Sequence, residues 1–242
     1  MENEFLGFFL KFGEEDHLKS LLNEGEMYCN TVQYFANLDD NVDRGDNLEN
    51  IFKLKYFGEA SIKFGPVDNP GDPEQTIEMF TENLKLAQHH TKHCGNLFCL
   101  YSLKINDYPL NTIFQINDER LRLGDHVLVI TNPGEFIKRV QSAVVDQNLA
   151  YRMKFVDYLD FSQYTGDRDI MQKGRDLDYQ KEFRVWIDFP VQEPLKLKIG
   201  NIRDIAHIRT TQQFLNSNLL FRSRIEGDSS RYNYFVEITD PK

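Results

Sequence analysis

The segment YQKEFRVWIDF at residues 179–189 limits the fold more than any other stretch of the chain, because its side chains alternate more convincingly than those of the other strand candidates. Phe183, Val185 and Ile187 fall on one side of an extended strand, and Glu182, Arg184, Trp186 and Asp188 on the other. Such a strand needs an apolar layer beneath one face. It also needs partners for the charges on the other, since a buried charge without one is costly. Read as strand throughout, the segment puts Gln180, Glu182 and Arg184 on one face at spacings of about 6–7 Å.

Other segments supply the rest of a sheet. FLGFFLKF at 5–12, EMYCN at 26–30, IFKLKYFGEASIKFG at 51–65, NLFCLYSLKI at 96–105, RLGDHVLVIT at 122–131, MKFVDYLDF at 153–161, LKLKIG at 195–200 and YNYFVEI at 232–238 all read as strands. Helices are expected after Asp16, over HLKSLLNE up to Gly25, and over 133–150, where Phe136, Ile137, Val140 and Val144 share a face. A third is expected from Pro73 to His93, behind the DNPGDPEQ turn, and a short one within 201–231. Residues 162–178 read as a connection. Eight or nine strands with three or four helices, not in regular alternation, predict a single α+β domain over 1–242 with a split, mostly antiparallel mixed sheet flanked by helices.

Nineteen Phe and eleven Tyr supply an aromatic-rich core, and a net charge of -10 disfavours non-specific adhesion to nucleic acid or anionic membrane. No apolar run reaches the roughly 18 residues of a membrane span. The N-terminal stretch lacks the basic start of a secretory leader, and Cys29, Cys94 and Cys99 make no disulfide framework. A cytoplasmic protein without a membrane partner is expected.

Three groups of residues carry potential chemistry. Arg44, Asp46 and Glu49 surround a glycine turn, where Arg44 offers a planar fork to phosphate and the acids accept hydroxyl protons; alternatively Asp46 caps a turn. Gln180, Glu182 and Arg184 form either an internal charge pair or a cleft in which Glu182 stabilises positive charge on a sugar carbon and Arg184 holds phosphate. His89, His93, Cys94 and Cys99 lack paired metal-ligand spacing, so no metal is predicted. Tyr28, Tyr34 and Tyr101 are candidates to line a base-binding pocket, with Trp186 as a further aromatic.

The order of LKSLLNEGEMYCN, DRGDNLE, GDHVLVITNPGEFIKRV and KGRDLDYQKEFRVW resembles that of DUF2971-type bacterial proteins across residues 8–189, with RGDNLE where that group more often has Asn-Asp-Pro followed by an acid. Asp46 and Glu49 are then the matching positions. The opening strand, helix to glycine and short strand also resemble bacterial ADP-ribosyltransferases. That resemblance implies NAD as the cofactor consumed, Gln180-Lys181-Glu182 as the late Gln-x-Glu pattern, and Glu182 with Gln180 as the catalytic pair. Lys11 or Arg44 stands in for the His or Arg that holds NAD in the first strand, and Tyr101 for the middle aromatic position; Arg44 or Arg184 binds the pyrophosphate, and Asp46, Glu49 and Tyr34 contact substrate. Two other readings stand beside it. One is a non-catalytic ligand-binding or regulatory protein of a phage-defence or toxin-like system; the other is a metal-dependent nuclease using Asp46, Glu49 and Glu182.

Overall fold

A computed structural model of the chain describes residues 6–38, 46, 48–65, 77–116, 123–225 and 232–239. In chain order these form β1 (Leu6–Gly13), α1 (Glu15–Glu24), β2 (Glu26–Thr31), α2 (Val32–Ala36), β3 (Ile51–Phe64), β4 (Ile77–His89), β5 (Asn96–Lys104), β6 (Ile113–Phe114), β7 (His126–Ile130) and α3 (Pro133–Asp146). They continue as β8 (Ala150–Phe155), β9 (Asp157–Leu159), β10 (Gly166–Asp167), β11 (Gln172–Gly174), β12 (Glu182–Asp188), β13 (Leu195–Lys198), β14 (Ala206–Thr210), α4 (Thr211–Asn216), β15 (Asn218–Ile225) and β16 (Tyr232–Thr239). The result is an α+β domain built on a mixed, largely antiparallel sheet flanked by helices.

The main sheet has eight strands, and β5 is where it divides. Along one edge β5 pairs with β12, from Tyr101 opposite Glu182 to Asn96 opposite Ile187. The other edge is shared. β1 takes it at Tyr101–Lys104, and β2 takes it at Asn96 and Leu97. Among the described residues no strand pairs with Phe98, Cys99 and Leu100 on that edge, so β1 and β2 part there and leave a gap in the sheet. From β1 the sheet continues through β7 to β14; from β2 it continues to β13, and from β12 to β8.

Strand alternation loads the two faces differently. Phe9, Phe98, Leu128, Phe183, Val185 and Ile187 pack beneath α1 and α3, which contribute Leu18, Leu21, Phe136, Val140 and Val144. The opposite face carries Phe8, Leu10, Tyr101, Leu103 and Val129 against α4 and β15. That second apolar layer stops short of β12, where Arg184 takes the equivalent place and is buried.

Local chemistry sets the turns that matter here. α1 ends at Gly25 in a left-handed conformation (φ 66°), and its N–H bonds back to the Leu21 carbonyl at 3.0 Å. A single residue thus reverses the chain into β2. The cap at the other end is Glu14 rather than Asp16, which lies inside the first turn. Asn132 Oδ1 accepts from the Glu135 N–H at 3.0 Å and starts α3.

Several expectations are corrected. The helix expected over 73–93 is not found among the described residues: Ile77–His89 is β4, paired with β3 in a sheet that β10 joins at Lys53 and Leu54, and the outer part of the β3–β4 ribbon is exposed, Phe80 at 80 %. Its pattern could not show this, because a ribbon with solvent on both faces keeps neither helical nor strand periodicity. The DNPGDPEQ turn lies outside the described residues. The 153–161 strand is two, β8 and β9, and β15 was not anticipated. Residues 162–178 contribute β10, β11 and the start of a 3-10 turn spanning Arg175–Gln180. No helix among the described residues is long and apolar enough to cross a membrane.

Candidate functional site

The gap between β1 and β2 opens into a cavity of about 590 Å³. Its walls come from Lys11 and Phe12 on β1, Tyr28 and Asn30 on β2, Tyr34 and Phe35 on α2, and Cys99 to Tyr101 on β5; Glu49, Lys173, Gln180, Glu182 and Arg184 also line it. Lys11 reaches across the gap. Its ammonium donates to the Cys99 carbonyl at 2.8 Å and sits 4.4 Å from the Phe98 ring centre, so it serves backbone that the sheet leaves unpaired.

Gln180 is not part of the strand. It closes the 3-10 turn, and Lys181 adopts a left-handed conformation (φ 41°) before β12 begins at Glu182. The turn nevertheless returns the Gln180 side chain to the site, where its Oε1 accepts from Lys173 Nζ at 2.6 Å. The same ammonium donates to Glu182 Oε1 at 2.8 Å, and Arg184 Nε donates to Glu182 Oε2 at 2.7 Å. Both oxygens of Glu182 are therefore engaged by cations. Its backbone N–H donates to the Tyr158 hydroxyl at 2.9 Å, which fixes the start of the strand.

Arg184 is buried at 1 % exposure and serves two carboxylates. Beyond Glu182, its Nη2 donates to Glu49 Oε2 at 3.2 Å and its Nη1 lies 2.6 Å from Glu49 Oε1. One N–H of Nη1 donates to the Ile170 carbonyl, and the same nitrogen keeps Glu49 Oε1 in a close, buried ion-pair contact. Every guanidinium nitrogen thus has a protein acceptor.

Glu49 is delivered by a turn. Asp46 Oδ1 accepts from the Leu48 N–H at 2.8 Å, and the Glu49 N–H donates to the Asp46 carbonyl at 2.9 Å. Asp46 caps this turn, the structural alternative for that residue, while its Oδ2 is buried without a partner. Arg168 ties the turn to β11 by donating to the carbonyls of Leu48 and Gln172. Arg44 lies outside the described residues.

The electrostatics separate the two glutamates. Burial alone would raise the Glu182 carboxyl, but Lys173 and Arg184 outweigh it and hold the group down at about 2. Glu49 is pushed up to about 7, because burial and the neighbouring carboxylates of Asp46 and Glu182 outweigh Arg184 and Lys173. Burial disfavours the Lys173 ammonium as well, yet Glu182, Glu49 and Cys99 together help to offset it and its pKa is raised. Cys99 is driven up to about 12 by burial and by Glu182, so it stays a thiol. Glu182 is a fixed anion, and Glu49 exchanges a proton near neutrality.

The structure brings together Lys11, Tyr34, Glu49, Tyr101, Gln180, Glu182 and Arg184 around one cavity, as well as Tyr28. Tyr28 and Tyr34 are half-exposed at its rim, at 48 % and 47 %. Trp186 does not join the lining; its indole N–H donates to the Cys94 carbonyl at 2.7 Å. His89 ends β4, and among the described residues no three His, Cys, Asp or Glu side chains gather as a metal-binding group. Lys173 and Arg168 were missed altogether, because a connecting segment gives no periodicity. The available signal was the unpaired charge of Glu182 and Arg184, which called for further partners.

Fold and site together define an α+β protein with a split sheet and a charged cavity at the split. The chain matches no protein-family model, no curated protein and no solved structure.

Proposed function

We propose that the cavity is the active site of an ADP-ribosyltransferase-like enzyme that consumes NAD, with Glu182 as its catalytic carboxylate. The observation that carries this reading is Glu182 itself, an anion held by Lys173 and Arg184 at 2.8 and 2.7 Å in the wall of a cavity. A carboxylate fixed in this way needs no reorganisation when positive charge develops on the ribosyl carbon of the donor, which is the condition for effective electrostatic catalysis. The volume of about 590 Å³ falls within the range of small-molecule sites, roughly 300–1,000 Å³. Tyr101 supplies an aromatic wall near Glu182, Tyr28 and Tyr34 supply faces for a base, and Lys11 supplies positive charge for the pyrophosphate. Arg184, whose nitrogens are taken by protein acceptors, acts in this scheme by positioning Glu182 rather than by gripping phosphate.

The test is mass spectrometry of the protein incubated with NAD, with and without cell extract, comparing wild type with Glu182→Gln. Free nicotinamide or an ADP-ribosyl mass that the variant fails to produce supports the proposal. Folded wild-type protein that yields neither overturns it.

One observation favours a non-catalytic binding protein. Lys173, Glu182, Arg184 and Glu49 already compensate one another, so the quartet also serves as a rigid polar floor for a ligand cleft. NAD-dependent thermal stabilisation without turnover would select that reading. Divalent-metal nuclease chemistry is less well supported, since of its proposed carboxylates Glu49 and Glu182 are engaged by Arg184 and Lys173 and Asp46 caps the turn through the Leu48 N–H.

A further inference from the structure

We infer that Lys181 is a positioning residue of this site and acts through its backbone: its left-handed conformation is what brings Gln180 and Glu182 onto one ammonium. The kinetic consequence rests on the transferase reading, whereas the geometry stands without it. An extended chain could not make this arrangement, because alternate residues of a strand lie about 6–7 Å apart along one face. β12 pairs with β5 from Glu182 opposite Tyr101, so two further extended residues would set Lys181 opposite Ser102 and Gln180 opposite Leu103. Leu103 is fully buried in the apolar layer with Phe8 and Leu10, where a glutamine amide would lose its polar partner. At φ 41° Lys181 turns the chain off the sheet instead, and Gln180 Oε1 and Glu182 Oε1 both reach Lys173 Nζ, at 2.6 and 2.8 Å.

A left-handed lysine crowds its Cβ against the following carbonyl and is disfavoured in a free chain, so it has to be held. Ser102 on β5 holds it. The Ser102 N–H donates to the Lys181 carbonyl at 2.9 Å, and the Ser102 hydroxyl donates to the same oxygen at 2.6 Å. Ser102 is 1 % exposed, so water does not compete for that oxygen from its side. The Lys181 N–H donates to the Asp178 carbonyl at 3.1 Å and closes the 3-10 turn. Both backbone groups of Lys181 are thereby fixed. Its side chain contributes less: the ammonium donates to the Tyr108 hydroxyl at 3.2 Å and lies 3.9 Å from Asp107, at side-chain exposures of 36 % and 41 %, where such pairs are worth little.

The strain therefore sits in the backbone of the residue next to the carboxylate, and the surrounding bonds over-determine it, as they do where strain serves a site. Lys181 touches no reacting atom. It acts by setting where Glu182 and Gln180 meet Lys173, and a misplacement of about 1 Å at a reacting centre costs on the order of 100-fold in rate. Because Glu182 works on charge that develops only in the transition state, the loss falls on kcat and leaves the KM for NAD unchanged.

The experiment compares wild type with Lys181→Val, Lys181→Asn and Ser102→Ala, with folding monitored by Trp186 fluorescence. Valine is β-branched and resists positive φ, whereas asparagine adopts it readily. The first readout needs no substrate: the ¹H–¹⁵N signal of the Lys173 ammonium, whose side chain is 2 % exposed and whose protons exchange slowly while Gln180 and Glu182 hold them. Wild type and Lys181→Asn should share that signal, Lys181→Val should shift or lose it, and Ser102→Ala, which keeps one of the two bonds to the Lys181 carbonyl, should move it partway. The second readout is nicotinamide release from NAD, where kcat should fall about 100-fold in Lys181→Val at wild-type KM and be recovered in Lys181→Asn. A Lys173 signal absent from wild type, or unchanged in folded Lys181→Val, overturns the inference; should the valine variant not fold, an unchanged signal in Ser102→Ala does so. An asparagine variant as damaged as the valine one, or an unchanged kcat in folded Lys181→Val, overturns it as well and leaves the transferase reading standing. Wild type that releases no nicotinamide removes the transferase reading, and the ammonium signal alone then decides whether Lys181 positions the site.

Discussion

Replacing Arg184 with Met should be among the most damaging single substitutions in this protein, and its damage should depend on pH. Methionine restores most of the volume of a side chain that is 1 % exposed, so the cavity term is small. What it removes is the cation shared by Glu182 at 2.7 Å and Glu49 at 2.6 Å, whose side chains are 12 % and 1 % exposed. Lys173 is then the one cation left in hydrogen-bond contact with Glu182, and it donates nothing to Glu49. Breaking a buried pair by deleting one partner costs about 3–5 kcal/mol, a large part of the roughly 5–15 kcal/mol that keeps a domain folded. The pH dependence follows from the sign of the shifts. Glu49 already has a folded pKa raised to about 7 in the wild type, and losing Arg184 raises it further. Its contribution is fully present below the unfolded value of about 4.3 and is lost as pH rises through the folded value. The variant therefore binds protons more tightly when folded, and its deficit should shrink on acidification. Urea unfolding followed through Trp186, the single tryptophan, should show the full cost near pH 8 and a smaller one near pH 5.5. Adding Glu49→Gln to the variant should recover part of it. A cost below about 1 kcal/mol, typical of exposed pairs, or one that grows as the pH falls, would refute the electrostatic account of the site.

Three further outcomes are expected. The depressed Glu182 pKa of about 2 contributes stability that is present above its unfolded value near 4.3 and is lost as the pH falls toward about 2, so acid unfolding of Glu182→Gln should lack that part of the pH dependence. Gly25→Ala should cost about 1–2 kcal/mol from the left-handed backbone alone, and more because its Cβ would strike the Gly200 backbone; a urea midpoint equal to wild type would contradict this. Tyr34→Ala, at a half-exposed rim position, should leave stability within about 0.5 kcal/mol while raising the KM for NAD about 5- to 100-fold if a base stacks on it. Equal KM values would remove Tyr34 from the substrate site.

The sequence by itself determined those features whose cause lies within a few residues. Alternation in EFRVWID set which face of β12 enters the core, because Phe183, Val185 and Ile187 can be buried together only on one side. Gly25 fixed the end of α1, and the Phe136, Val140 and Val144 stripe fixed the face of α3. It also marked Glu182 and Arg184 as charges in need of partners. The tertiary structure alone decided who those partners are. Glu49 lies 135 residues before Arg184 and meets it only because the Asp46–Glu49 turn and β11 are fastened together by Arg168. Lys173 comes from a segment with no periodic pattern, and Gln180 reaches it through a left-handed turn at Lys181 rather than along a strand. The β4 arm was illegible for a related reason: its residues answer to pairing with β3 and to solvent, not to a core that would impose a period. The gap in the sheet is a matter of register between β5, β1 and β2, set by hydrogen bonds between segments far apart in the chain. A local pattern carries information about burial, whereas a site made of charges from the Asp46–Glu49 turn, β11 and β12 is fixed only when the fold brings them together.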